Sequence, residues 1–171
     1  MTDAADNAPK DPASAPAPSS FEALARFFAS SSAAKTAAGS LKKAAEVAVH
    51  FTDAPGDHRF TVEDGTPRLL AGKAHDPDFE LTLAPGATRD LCAHPEADVG
   101  DLGILFFQHM LASDPDQKIR VKLHSGLLKL TMRGYLGVLA AGGQKVFGWM
   151  ASKGLKGPGA VATALSKLKK S

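Results

Sequence analysis

The sequence predicts an α+β fold in which an antiparallel sheet packs against helices, and three observations support this. Between residues 118 and 123, aliphatic and cationic side chains alternate, which is typical of a strand with one buried and one solvated face. After a short interruption, apolar residues recur at spacings of about three or four as far as residue 139, which indicates a helix. Earlier in the chain, four short alternating runs are separated by turn-forming residues, which predicts a meander.

The boundaries of the predicted elements follow from these patterns. Strands are predicted at about 45–52, 59–63, 68–71, 79–84 and 118–123. Helices are predicted at about 19–30, 87–93, 101–112 and 128–139, the first with a Ser19–Glu22 capping box. The small, polar segment 31–40 is predicted to be a weak helix or a linker, and Gly142-Gly143 is expected to end the fourth helix.

The chain of 171 residues is predicted to contain one folded domain with a tail at each end. Residues 1–18 are rich in Ala, Pro and Asp and have no large apolar residue after Met1, so we expect them to be disordered. Residues 19–143 hold the predicted sheet and its helices. Residues 144–171 are predicted to form a basic, amphipathic helical extension.

Charge is distributed unevenly along the chain. Residues 1–116 hold all 18 acidic and 9 basic residues, whereas residues 117–171 hold 11 basic residues and no acidic one. Such a basic segment fits an anionic lipid surface, nucleic acid or the acidic remainder of the same molecule. Arg120 and Arg133 are the only arginines in it and aromatic residues are few, which argues against nucleic-acid recognition.

The sequence lacks the motifs of the common enzyme classes. It has no GxSxG elbow, phosphate-binding loop, dinucleotide-binding glycine triplet or CxxC pair, and its six histidines show no metal-ligand spacing. The acidic run at 75–78 is interpreted as turn chemistry, and Cys92 as an inert, partly buried thiol. We therefore predict no catalytic residue, metal or cofactor. With one cysteine, no secretory signal and no membrane-spanning stretch, we expect a cytoplasmic protein, peripheral on membranes at most.

Three segments resemble parts of the sterol carrier protein 2 (SCP2-like) family. They are DPDFELTLAP (76–85), LFFQ (105–108) and KIRVKLHSGLLKLTMRGYLGVL (118–139), and the resemblance extends over about 41–140. The chain departs from the family pattern by the inserted HMLASDPDQ (109–117), and by Ser125-Gly126 where the family has Gly-Asn. The resemblance implies a five-stranded antiparallel sheet covered by helices, enclosing an apolar tunnel for a fatty-acyl, sterol or isoprenoid ligand.

The apolar faces of two predicted helices supply the candidate lining of that tunnel. The expected lipid-binding residues are Leu102, Leu105, Phe106, His109, Met110, Met132, Tyr135, Leu136 and Leu139. Leu and Met side chains adapt to ligands of variable shape. The alternative is that these side chains fill one another's space and leave no cavity.

Two functions from different classes follow. The first is non-enzymatic binding of a hydrophobic lipid and its transfer between membranes, with the basic C-terminal helices docking on anionic membrane. The expected membrane-contact residues are Lys145, Phe147, Trp149, Lys153, Lys156, Lys167, Lys169 and Lys170. The second is an accessory protein with a filled core, which uses the same helices to bind a protein partner or to dimerise.

Overall fold

The computed structural model describes residues 18–154, and a five-stranded sheet organises them. The strands are β1 (Glu46–Phe51), β2 (His58–Glu63), β3 (Thr66–Ala71), β4 (Phe79–Leu83) and β5 (Ile119–Leu123). Each lies within two residues of its predicted bounds. The α+β class and the five strands covered by helices are therefore confirmed.

The strand order is β3-β2-β1-β4-β5, and one pairing differs from the expected antiparallel pattern. Neighbouring strands pair antiparallel except β1 and β4, which run parallel with Val47 opposite Phe79. The sheet is therefore mixed, and the meander ends at β3. Residues 72–78 carry the chain back to the free edge of β1, where the Asp78 N–H donates a hydrogen bond of 2.8 Å to the Glu46 carbonyl.

Within residues 18–154, six α-helices cover the sheet. They are α1 (Ser20–Ser30), α2 (Ser32–Ser40), α3 (Pro85–Cys92), α4 (Val99–Leu111), α5 (Leu127–Met132) and α6 (Tyr135–Ser152). The predicted capping box is present, because Ser19 and Glu22 each accept a hydrogen bond from the other's backbone N–H. The segment at 31–40 is helical, with the Ser31 hydroxyl capping α2.

The prediction of one continuous helix over 128–139 was wrong. The chain breaks at Gly134, which has φ of +92° and separates α5 from α6. An added Cβ at Gly134 would collide with the Ser40 carbonyl oxygen, so the close approach of α2 requires glycine there. Helix α6 then runs to Ser152 with a kink at Gly143, whose backbone angles (φ of +59°, ψ of −153°) are not helical. The predicted interruption at Gly142-Gly143 is therefore present, and helical structure resumes after it.

The core lies between the sheet and the helices. Val47, Val49 and Phe51 project from one face of β1 and are buried against Leu24 and Phe27 of α1, within a cluster that extends to α3 and β5. Within the described residues, no helix is long and apolar enough to cross a bilayer.

Candidate functional site

A cavity of about 420 Å³ lies between the sheet and the helices that cover it. The sheet contributes Val49, Leu81 and Val121, while Phe106 of α4 and Leu139 of α6 stand among the helical residues. Its volume falls in the range of sites that take small organic ligands. The cavity is partly open to solvent.

The wall of this cavity is almost entirely hydrocarbon. Tyr135 carries the one polar side-chain atom among its described lining residues, and no charged residue lines it. The Tyr135 hydroxyl donates a hydrogen bond of 2.9 Å to Asp78, while its ring packs edge-on against Phe79. The wall therefore offers a ligand almost no polar partner and favours groups that water solvates poorly.

Most of the nine residues expected to bind lipid lie together at this cavity. Those that line it are Leu102, Phe106, Met110, Tyr135, Leu136 and Leu139. They come from α4 and α6, the two helices whose apolar faces were expected to meet. Helix α4 packs against both α6 and β5.

The other three expected residues lie elsewhere. Leu105 is partly buried against the core and, with Ile104, lines a second, more polar pocket. His109 is buried, and its Nδ1 lies 2.9 Å from the Gln117 carbonyl oxygen. Met132 has 70% of its surface exposed and ends α5, which the break at Gly134 separates from α6.

Sequence reasoning missed the contribution of the sheet and of the N-terminal helices to the cavity. Val49, Leu81 and Val121 line it from three neighbouring strands, and Phe28 and Ala37 line it from α1 and α2. The alternation of β1 and β5 already marked which of their side chains face the core. The lining from α2 carried no such signal, because an alanine-rich helix has a weakly defined apolar face.

The buried carboxylate of Asp78 holds helix α5, which borders the cavity, in place. Asp78 is fully buried and accepts hydrogen bonds from Ser125 Oγ at 3.0 Å, Arg133 Nη1 at 2.9 Å and the Tyr135 hydroxyl at 2.9 Å. Its backbone oxygen also accepts from the N–H groups of His124 and Ser125. These bonds attach both ends of α5 to the start of β4. Burial, and then the nearby Asp78 carboxylate, raise the pKa of Tyr135.

A second carboxylate secures α5 from outside. Asp76 lies 2.8 Å from Lys129 Nζ and 2.6 Å from Arg133 Nη2, and these hydrogen-bonded cations lower its pKa. The run at 75–78 was interpreted as turn chemistry, but two of its carboxylates act as anchors for α5. Among the described residues, no group of three or more His, Cys, Asp or Glu side chains is arranged to hold a metal ion.

The structure describes four of the eight expected membrane-contact residues. Lys145 forms ion pairs with Asp98 at 2.7 Å and Asp101 at 2.9 Å, and these hydrogen bonds raise its pKa. Trp149 stacks on Phe107 with the Lys153 ammonium 5.7 Å from its ring centre, whereas Phe147 is half exposed. The remaining members lie outside the described residues and are Lys156, Lys167, Lys169 and Lys170.

Comparison with known proteins finds a likeness in structure but none in sequence. No protein-family model matches the sequence, and no curated protein matches it. A solved structure titled "UbiJ-SCP2 Ubiquinone synthesis protein" is similar with 15% sequence identity and a TM-score of 0.41, over 71% of this chain and 84% of that one. A likeness at this identity concerns the arrangement of the chain and not its ligand.

Proposed function

We propose that this protein binds a hydrophobic lipid of fatty-acyl, sterol or isoprenoid type in the cavity, without changing it chemically, and carries it between membranes. The observation that carries the proposal is the hydrocarbon wall of a cavity of about 420 Å³. A filled core was the premise of the accessory-protein alternative, and a space of this size argues against it. A space this large and this apolar suits a lipid tail better than a polar metabolite.

The energetics are compatible with such a ligand. Each methylene removed from water contributes about 0.8 kcal/mol, so roughly ten methylenes contribute about 8 kcal/mol. That is comparable with the roughly 4–15 kcal/mol that association costs in lost freedom of motion. Met110 and the leucines of the wall can adjust their side chains to tails of different shape.

The chemistry of the wall supports binding without catalysis. Tyr135 supplies its one hydroxyl, which is already bonded to Asp78 and has a raised pKa. Cys92 does not line the cavity, and burial raises the pKa of its thiol to about 11. Neither group is suited to attack a ligand in the cavity at neutral pH.

The position of the opening supports exchange of the ligand. Leu127 and Leu136 line the cavity and are nevertheless about half exposed, so they border its opening to solvent. Solvent therefore reaches the cavity beside these two residues, and a lipid tail entering there would pass no charged side chain of the wall. Transfer needs such a route, whereas permanent storage does not.

The test is organic extraction of the purified recombinant protein, followed by mass spectrometry of what is released. We expect a stoichiometric lipid from the wild type and from Ile104→Asp, whose side chain lies outside the cavity on the same helix. Phe106→Asp places a charge in the hydrocarbon wall and should abolish the lipid.

A second pair of variants guards against misfolding of Phe106→Asp. Ala37→Phe fills the cavity with an uncharged ring, whereas Ala29→Phe adds the same ring at an exposed position of α1. We expect Ala37→Phe to lose the lipid while retaining a cooperative unfolding transition, and Ala29→Phe to keep it. Absence of lipid from the wild type, together with failure to bind a fluorescent fatty acid, would refute the proposal.

A further inference from the structure

An unusual set of apolar side chains is exposed beside the cavity opening. Leu127, Leu128 and Met132 of α5 and Leu136 of α6 have 50%, 76%, 70% and 45% of their surfaces exposed, and we call these four residues the apolar rim. Exposed apolar side chains grouped in this way mark an interaction surface.

The rim is a fixed structure. Leu128 and Met132 lie one turn apart on the same face of α5, where they do not line the cavity. Between them, Lys129 is bonded to Asp76, and the following Arg133 is bonded to both Asp76 and Asp78. These pairs hold α5 with Leu128 and Met132 facing solvent, so their exposure belongs to the folded molecule.

The charge around the rim is positive. The Lys42 N–H donates a hydrogen bond of 2.9 Å to the Arg133 carbonyl, which places Lys42 and Lys43 at the α5–α6 junction. Both lysines are exposed, and neither forms an ion pair with another residue in the range 18–154. The cations of α5 are balanced by Asp76 and Asp78, so these two lysines leave the junction with a net positive charge.

We propose that the apolar rim and Lys42–Lys43 form the surface with which this protein docks on an anionic phospholipid bilayer. Apolar side chains beside lysines match the apolar interior and anionic head groups of such a bilayer, and each lysine near it contributes about fivefold in affinity. Residues Leu127 and Leu136 belong both to the rim and to the cavity wall, so docking brings the opening onto the lipid. Docking itself does not depend on the proposed function. The passage of a lipid through the opening does rest on it.

This surface differs from the C-terminal extension that the sequence favoured. Lys145 is neutralised there by Asp98 and Asp101, and Trp149 stacks on Phe107. Of the described residues of that extension, Phe147 therefore presents the main apolar group to solvent. It serves as the competing site in the test.

The test is flotation with vesicles of phosphatidylcholine alone and of phosphatidylcholine with phosphatidylglycerol, using the full-length protein. We expect binding to the anionic vesicles, weakened about tenfold or more in Leu128→Ser/Met132→Ser. The variant Lys42→Gln/Lys43→Gln should lose about thirtyfold and most of the preference for anionic vesicles. Leu111→Ser is the matched control, because Leu111 is 64% exposed at the end of α4 and lies outside the cavity wall.

Extraction of Leu128→Ser/Met132→Ser keeps the two proposals apart. Because neither side chain lines the cavity, this variant should retain its lipid while losing the vesicles. Unchanged vesicle binding in this variant, or an equal loss in Leu111→Ser or Phe147→Ser, would overturn the docking surface without touching the cavity. The proposal would also be overturned if the wild type did not bind vesicles but formed a dimer, and if Leu128→Ser/Met132→Ser were monomeric. The rim would then be a surface for a second copy of the chain.

Discussion

Tyr135 donates a hydrogen bond of 2.9 Å to the fully buried carboxylate of Asp78, across 57 positions of sequence. Because the Tyr135 hydroxyl donates its hydrogen to Asp78, the one polar side-chain group of the described cavity wall has no hydrogen left to donate to a ligand. The bond also ties the first residue of α6 to the residue that precedes β4. Arg133 and Ser125 bond to the same carboxylate, so the cavity wall and its bordering helix share one anchor.

The first prediction concerns this anchor. Asp78→Ala should lower the free energy of unfolding by about 3–5 kcal/mol, because it leaves Arg133 and Tyr135 without their buried partner. Tyr135→Phe should cost about 1–3 kcal/mol, since it removes one hydrogen bond to a charged group and keeps the ring. Urea denaturation measures both.

Asp57→Ala is the control for that measurement, because Asp57 is exposed and its side chain makes no hydrogen bond or ion pair within residues 18–154. We expect it to stay within about 0.5 kcal/mol of the wild type. If Asp78→Ala were as mild, the buried carboxylate would not be the anchor of α5.

The second prediction concerns the break between α5 and α6. Gly134→Ala should lower the free energy of unfolding by at least about 1–3 kcal/mol, because alanine is strained at φ of +92° and its Cβ collides with the Ser40 carbonyl oxygen. Gly148→Ala is the matched control on α6, where an added Cβ meets no atom within 4 Å.

Gly148→Ala should instead be neutral or stabilise the helix by up to about 1 kcal/mol. Thermal or urea unfolding of the two variants side by side gives the comparison. Equal stability of the two would mean that the helix break at Gly134 is not imposed by α2.

The strands were predictable from sequence because alternation is a local property, and β1 and β5 show it without interruption. Which strand pairs with which is not local. The alternation of β1 and β4 marks their buried faces but says nothing of the parallel pairing between them. Three turn-linked strands suggested that the meander would continue, whereas residues 72–78 return the chain to the other edge of β1.

The same distinction between local and non-local features applies to the candidate site. The residues of α4 and α6 that line the cavity were found from helical spacing, and Met132 was included because the spacing runs unbroken through Gly134. Only the approach of Ser40, nearly a hundred residues earlier, makes that glycine a break. Likewise, the sequence around Asp78 indicates only a turn, because its hydrogen-bond partners Ser125 and Arg133 are distant in sequence.

The third prediction concerns stability at acid pH. Hydrogen bonds from Lys129 and then Arg133 lower the pKa of Asp76 from its usual value of 3.8. Its contribution to stability is therefore complete above 3.8 and is lost as the pH falls through the lower value of the folded state. The difference in unfolding free energy between wild type and Asp76→Asn should shrink over that interval.

Urea denaturation at a series of pH values measures this difference. Lys129→Gln removes the larger of the two causes, so the loss should then be smaller and should be complete at a higher pH than in the wild type. Parallel curves for wild type and Asp76→Asn through the acid range would contradict the role given to these ion pairs.

The fourth prediction concerns Cys92, the single cysteine of the chain. Burial raises the pKa of its thiol from 9.0 to about 11, so the reactive thiolate fraction at neutral pH is about a hundredfold smaller than in the unfolded chain. Alkylation by iodoacetamide should therefore be about a hundredfold slower in the folded protein than in urea, as followed by the mass increase of the intact chain. Cys92→Ser supplies the blank, since any mass increase it shows comes from other side chains. Equal rates in the folded and unfolded states would mean that the thiol is solvated. Cys92 would then have to be considered as a reactive nucleophile.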